Sequence, residues 1–212
     1  MKDLGILVDS ELTFFKHIHD KINVAYKMLG IIRRNFNFMV MDKFTFLTLY
    51  KSLVRSHLEY ANSVWCPYKI SLIRDVEKIQ KRATKLVKQC KFMPYKERLK
   101  YLQLPTLKYR RLRGDMIEVY KIISQMYESL IAPVILKNND TRTRGNSYKL
   151  LVERSKLDIR KFSFCSRIVN AWNSLPNEVI QSASINGFKT NLDRWWKNKD
   201  IYYDYESSLL VA

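Results

Sequence analysis

Between Thr13 and Phe36 the apolar residues Phe15, Ile18, Ile22, Ala25, Leu29, Ile32 and Phe36 recur at alternating steps of three and four, a seam sustained over three heptads. An α-helix brings such positions onto one stripe, and that stripe must be buried against something. Lys16, Lys21, Lys27, Arg33 and Arg34 fall mostly outside it. Only 5 Gly and 5 Pro in 212 residues leave few breaks for other helices, and a hydrophobic fraction of 47% supplies a core. The expected fold class is mainly α: a helical bundle preceded by one short β-strand, with a smaller C-terminal α+β part.

Local patterns place the elements. LGILVD reads as a short buried strand, Leu4 to Val8, whose partner strands this chain does not supply. Asp42 suits the N-cap of a helix from Lys43 to about Val64, which Pro67 stops. At about 100° per residue, Phe46, Tyr50, Leu53, His57, Tyr60, Ala61 and Val64 share its inner face. Further helices are expected from about Ser71 to Lys88, from Tyr95 to Tyr101 and, after Pro105, along a long segment. Leu112, Met116, Val119 and Ile123 line the buried stripe of that last helix, with Arg110 and Lys121 outside.

From Pro133 to Ser147 the chain is polar and rich in turn residues, which reads as a linker. SYKLLVERS and LDIRKFSFC alternate like short strands, the second turning helical near Cys165. Ile168, Val169 and Trp172, then Phe188, Leu192 and Trp195, give two more helical faces, and KDIYYDYESSLLVA reads as a frayed tail. The organisation expected is a strand over 1–10, the bundle over 11–132, a linker over 133–147, a small α+β subdomain over 148–200 and a tail over 201–212.

RSHLEYANSVWCPY, residues 55 to 68, gathers an imidazole, a carboxylate and a thiol. Glu59 lies two residues from His57, so on a helix the two side chains point about 160° apart and make no acid and base pair. Arg55 and Glu59, four apart, read as a solvated pair, and His57, Tyr60 and Trp65 as core aromatics with polar tips. The tripeptide Arg113, Gly114, Asp115 matches a known integrin ligand, but within a helix it reads as coincidence. No glycine-rich phosphate loop and no nucleophile elbow occur, so no catalytic residue is assigned.

Charge is the largest departure from average: 38 Lys plus Arg against 20 Asp plus Glu gives +18. Such a balance attracts polyanions, nucleic acid first among them. An anionic membrane surface is the runner-up, yet no apolar run approaches the roughly 20 residues of a spanning helix, and no signal peptide is evident. Three widely spaced cysteines, Cys66, Cys90 and Cys165, argue against a disulfide framework and suit an intracellular site, nuclear or cytoplasmic. With three histidines and no C-x-x-C, no metal site and no cofactor is expected. Lys78, Lys81, Arg82, Lys85 and Lys88 fall within an arc of about 120° on one helix, with Asp75 and Glu77 at its margin. They are the candidate phosphate contacts, with Arg110, Arg142 and Arg144 as secondary candidates.

Taken in order, KDLGILVDSELTFFKHI, YKSLVRSHLEYANSVWCPY, VEKIQKRATKLV, YKERLKYLQLPTLKYRRLRGDMIEVYKII, RTRG, SRIVNAWNSLPNEVI and FKTNLDRWW span about residues 2 to 197. This series resembles the C-terminal end of reverse transcriptases of non-LTR, LINE-type (jockey-like) retrotransposons. The resemblance implies that the first strand is the last piece of a polymerase palm and the following helices a thumb. It also implies that the aromatic-x-Asp-Asp carboxylates that bind divalent metal lie upstream, since no Asp-Asp pair occurs here. Ser56 stands where proline is common in that family and Cys165 where glutamine is. The expected function is that of a truncated fragment of an RNA-directed DNA polymerase without its catalytic palm. Its expected partners are RNA, DNA or their hybrid, bound without sequence preference, and the upstream palm. A helical protein–protein interaction module, pairing through the seam around Leu29, is the alternative, and a nuclease comes last for want of clustered acids.

Overall fold

In the computed structural model, which describes residues 1–36, 42–128, 132–136 and 148–209, the chain opens as a hairpin. Strands β1 (Lys2–Asp3) and β2 (Ile6–Leu7) pair antiparallel, Lys2 opposite Leu7 and Asp3 opposite Ile6. Leu4 and Gly5 between them both take positive φ, 42° and 83°, as a two-residue turn of primed type requires. The strand expected to lack a partner therefore finds one in the residues just before it. The Leu7 N–H donates to His17 Nδ1 at 3.1 Å, and the Tyr60 hydroxyl donates to the Leu4 carbonyl at 2.9 Å. These two bonds hold the hairpin on the helices.

Backbone contacts divide the chain into two compact units, Met1–Arg110 with Tyr203–Tyr205, and Arg111–Tyr202 with Glu206–Ala212. In the first unit α1 (Phe15–Asn35) buries Ile18, Ile22, Ala25, Leu29 and Ile32, while Phe15 and Phe36 at the ends of the seam stay partly in water. Leu29 is 7% exposed inside this core, so the seam is occupied within the unit and is not open to a separate helix.

Asp42 caps α2 (Lys43–Leu49) as its position suggests, accepting the Thr45 N–H at 2.7 Å, and this bond holds its carboxyl below the usual range. The helix then widens into a π-helical segment, Tyr50–Arg55, before α3 (Ser56–Glu59). A π turn takes about one residue more than an α turn, which rotates the inner face. Phe46, Tyr50, Val54 and Leu58, at steps of four, are buried, whereas Leu53, expected inside, is exposed. Ala61 at φ 52° then ends the helix ahead of α4 (Asn62–Trp65). Trp65 is buried, its indole N–H donating to the Tyr60 carbonyl at 2.6 Å. Tyr60 and Val64 stand exposed and His57 half-buried, which corrects the expectation of a single core face through Val64.

Helix α1 packs on the π segment, α3 and α5 (Ile70–Thr84), and α5 packs on α6 (Tyr95–Leu102). Full burial of large apolar side chains such as Phe46 and Ile79 stabilises the unit by about 1.5–3 kcal/mol each. Polar groups are sealed in with them. Glu77, expected at the margin of the basic stripe, is completely buried. It accepts the Tyr95 hydroxyl at 2.5 Å and, at 3.1 Å, the N–H of Leu107, the first residue of α7 (Leu107–Ile123). A carboxylate there is stabilised by the helix dipole, and Thr106 Oγ1 accepts the Tyr109 N–H at 3.1 Å beside it. Gln80 extends the network: its Oε1 accepts the Tyr50 hydroxyl at 2.6 Å, and its Nε2 donates to Tyr95 and to the Pro105 carbonyl. Burial and the nearby Glu77 charge push both phenols far above their usual range, so both remain donors.

Of the two strands expected in the second unit, the second is helical, and the first, SYKLLVERS, shows over its described residues only an isolated bridge at Leu150. LDIRKFSFC forms α8 (Asp158–Lys161) and the start of α9 (Phe164–Asn173), followed by α10 (Asn177–Ile180) and α11 (Ile185–Trp196). Instead of a strand ladder, the Asn173 side chain pairs with both backbone groups of Leu150, at 2.8 and 2.9 Å. The core stacks Tyr120 on Phe188 at 4.3 Å, with Trp172 beside it at 6.0 Å, and Trp196 rather than Trp195 faces inward. Arg113 and Asp115, the charged ends of the integrin-like tripeptide, lie within α7. Arg113 forks onto Asp193 at 2.5 and 2.8 Å, and buried Asp115 receives Arg167 through two bonds of 2.9 Å. Burial raises the Asp115 carboxyl above its usual range although Arg167 opposes the shift. Most of the expected linker lies outside the described residues. Nor is the tail frayed up to its described end: Ile201 is buried, Tyr203 packs on the first unit's core, and Leu209 is buried.

Two predictions follow from these contacts. Glu77→Ala strands the Tyr95 hydroxyl and the Leu107 N–H in the core, at about 1–3 kcal/mol each, so chemical denaturation should show a loss on the order of 3 kcal/mol; a loss below about 0.5 kcal/mol contradicts the network. His17 is buried and accepts at Nδ1; burial, then the Lys21 charge, lower its pKa below 6.5, with Asp20 opposing. The unfolded chain therefore takes up the proton first, and the stability His17 provides is full above about pH 6.5 and lost as pH falls below it. His17→Gln should flatten that loss between about pH 7 and 5, and parallel profiles for the two proteins refute the assignment.

Candidate nucleic-acid interface

Helix α5 divides its faces sharply. Leu72, Val76, Ile79 and Ala83 join the core, and Glu77, Gln80 and Thr84 sit in the buried polar layer. Lys78 and Arg82, one and five places beyond Glu77, lie about 100° and 140° round the helix from it, on the side away from the core stripe. Lys85 shares their direction, while Lys81 falls nearer the buried edge. Exposure follows this geometry, with Lys78, Arg82 and Lys85 exposed and Lys81 half-buried.

The candidate contacts differ in what already holds them. Lys78 bonds Asp75 Oδ1 at 2.7 Å, an exposed pair that raises its pKa and that phosphate can replace. Lys81 donates to the Tyr205 hydroxyl at 2.9 Å and lies 4.4 Å from that ring's centre and 5.3 Å from that of Tyr95. Cation–π attraction and the hydrogen bond thus bind Lys81 to Tyr203–Tyr205, the C-terminal residues that belong to the first unit. Arg82 rests over Tyr26 of α1 at 5.1 Å, its edge still open to solvent. Lys85 follows the last residue of α5, and Lys88 begins a 3-10 turn, Lys88–Cys90. Both are exposed, and among the described residues neither side chain has a hydrogen-bond or ion-pair partner.

Arg110 is differently placed. It forks onto Glu59, its Nε to Oε1 and its Nη2 to Oε2 at 2.9 Å, while Arg55 Nε approaches Oε1 at 3.4 Å. Two guanidiniums on one carboxylate, all largely buried, replace the solvated pair expected of Arg55 and Glu59; burial, then the Arg110 charge, lower the Arg55 pKa. Arg142 and Arg144 lie outside the described residues. Lys91, which sequence reasoning passed over, continues the three-residue step from Lys85 and Lys88 and is exposed. Its signal was that spacing, hidden because the helix was expected to end at Lys88.

Among the described residues, no group of three or more His, Cys, Asp or Glu side chains lies close enough to hold a metal ion. No helix there is long and apolar enough to cross a membrane. Cys66, Cys90 and Cys165 form no disulfide, and burial pushes the Cys90 and Cys165 thiols up. The arrangement is a row of exposed cations, Arg82 near the end of α5, Lys85 just after it and Lys88 in the following turn. No protein-family model, no curated protein and no solved structure matches the chain.

Proposed function

We propose that this chain binds nucleic acid through its phosphate backbone, without sequence preference, as the thumb-like C-terminal part of a LINE-type reverse transcriptase. RNA, DNA and their hybrid present the same phosphate chemistry, and each is an expected ligand. On this reading the polymerase chemistry, with its divalent metals, belongs to a palm upstream of these residues. The observation that carries the proposal is the exposed row of Arg82 near the end of α5, Lys85 just after it and Lys88 in the 3-10 turn that follows. The net charge of +18 and the ordered series of family-like segments support it.

The salt dependence of binding to a short duplex, read by fluorescence anisotropy, tests the proposal. Three phosphate contacts give a slope of log affinity against log salt near −2.7, and about −4.5 if Lys78 and Lys81 also release their partners. Tyr205→Ala frees Lys81 and should steepen the slope by about 0.9. Joint replacement of Arg82, Lys85 and Lys88 by Glu should abolish binding while Lys16→Glu leaves it nearly intact. Salt-independent binding, or full affinity in the triple variant, overturns the reading.

A further inference from the structure

Just beyond α5 the chain presents Phe92, at 91% the most exposed large apolar side chain among the described residues. Single exposed apolar residues are ordinary on protein surfaces. Phe92 differs in two respects, the stiffness of its turn and the charge around it.

Val87 and Cys90, on the near side of the turn, are fully buried. Met93, on the far side, is half-buried against the core. Within the turn the Cys90 N–H donates to the Val87 carbonyl at 2.9 Å, Lys91 to Lys88 at 3.3 Å and Met93 to Cys90 at 3.1 Å. The ring is therefore held out in water by an anchored backbone rather than by a loose loop. Lys85, Lys88 and Lys91 lead up to it in three-residue steps, all exposed, and Lys91 Nζ stands 5.5 Å from the ring centre.

We infer that Phe92 is a stacking platform for an unpaired base, placed at the end of a phosphate track made by Lys85, Lys88 and Lys91. The inference rests on the nucleic-acid reading above and adds a preference for a junction between paired and single-stranded nucleic acid. A strand whose phosphates follow the three lysines meets an aromatic face at its end. Every base offers a matching π face, so stacking adds affinity without sequence preference. An anionic bilayer also attracts lysines beside an aromatic ring, but insertion needs a broader apolar surface than one ring. Here Val87 and Cys90 point inward, leaving an area suited to one base.

The experiment compares the full chain with its Phe92→Ala, Phe92→Leu and Phe92→Trp variants. Each is titrated with a blunt duplex and with the same duplex carrying a short unpaired end that contains 2-aminopurine. Stacking predicts that Phe92→Ala weakens binding to the overhang probe by roughly 5- to 150-fold and leaves the blunt probe unaffected. Phe92→Leu should behave like the alanine variant, Phe92→Trp should restore affinity, and the 2-aminopurine signal should change on binding only where a ring is present. Equal affinity of Phe92→Ala and the unaltered chain for the overhang probe overturns the platform, as does an equal loss on both probes. If salt-dependent binding persists while Phe92→Ala is silent, the platform falls and the cationic row stands. Absence of binding to either probe overturns both. Vesicles of phosphatidylserine and phosphatidylcholine serve as the competing surface: binding to them that Phe92→Ala abolishes, with the overhang affinity unchanged, replaces the base by a lipid surface.

Discussion

A carboxylate sealed inside the first unit fixes the orientation of everything the basic helix presents. Glu77 is held by the Tyr95 hydroxyl and by the first N–H of α7, and Gln80, one turn on, ties Tyr50, Tyr95 and the Pro105 carbonyl into the same network. Four segments thereby meet at one face of α5, and a helix clamped on one face cannot rotate about its axis. A buried anion without these donors would be strongly destabilising, so the network selects this packing over alternatives in which Glu77 faces water. Lys78 and Arg82, on the side of α5 away from the core, are consequently held outward, with Lys81 at the boundary.

Much of the α-helical plan was legible because it depends on apolar period. The α1 seam and the Asp42 cap follow from local rules, and the described chain is mainly helical with one short hairpin. What misled was local geometry that such rules do not encode. The π segment shifts the register after Tyr50, so counting at the α period put Leu53 inside and missed Val54 and Leu58. Glu77 read as a surface acid because its partners Tyr95 and Leu107 are remote in sequence. In the second unit, alternation around Asp158 suggested strands, but burial of Ile168, Val169 and Trp172 on one helix prevails over propensity.

The candidate site was legible in composition and arc, less so in availability. Counting charges on a helical wheel gave five equivalent cations, whereas among the described residues the Lys85 and Lys88 side chains have no partner, Lys78 has an exposed one and Lys81 is coupled to Tyr205. No sequence rule links Lys81 to a residue at the far end of the chain. Arg110 illustrates the same point, since its guanidinium is already forked onto Glu59. On the proposed reading, affinity for a polyanion depends on which cations already have a partner, and net charge alone overstates it.

Lysine footprinting of the full chain, by acylation with and without a short nucleic-acid duplex and read by mass spectrometry, addresses the central claim most directly. The account predicts that duplex protects Lys85 and Lys88, with Lys78 next, and leaves Lys16 and Lys100 as reactive as in the free protein. Protection spread evenly over all lysines, or concentrated away from α5 and the turn that follows it, would contradict the claim that this ridge carries the interaction.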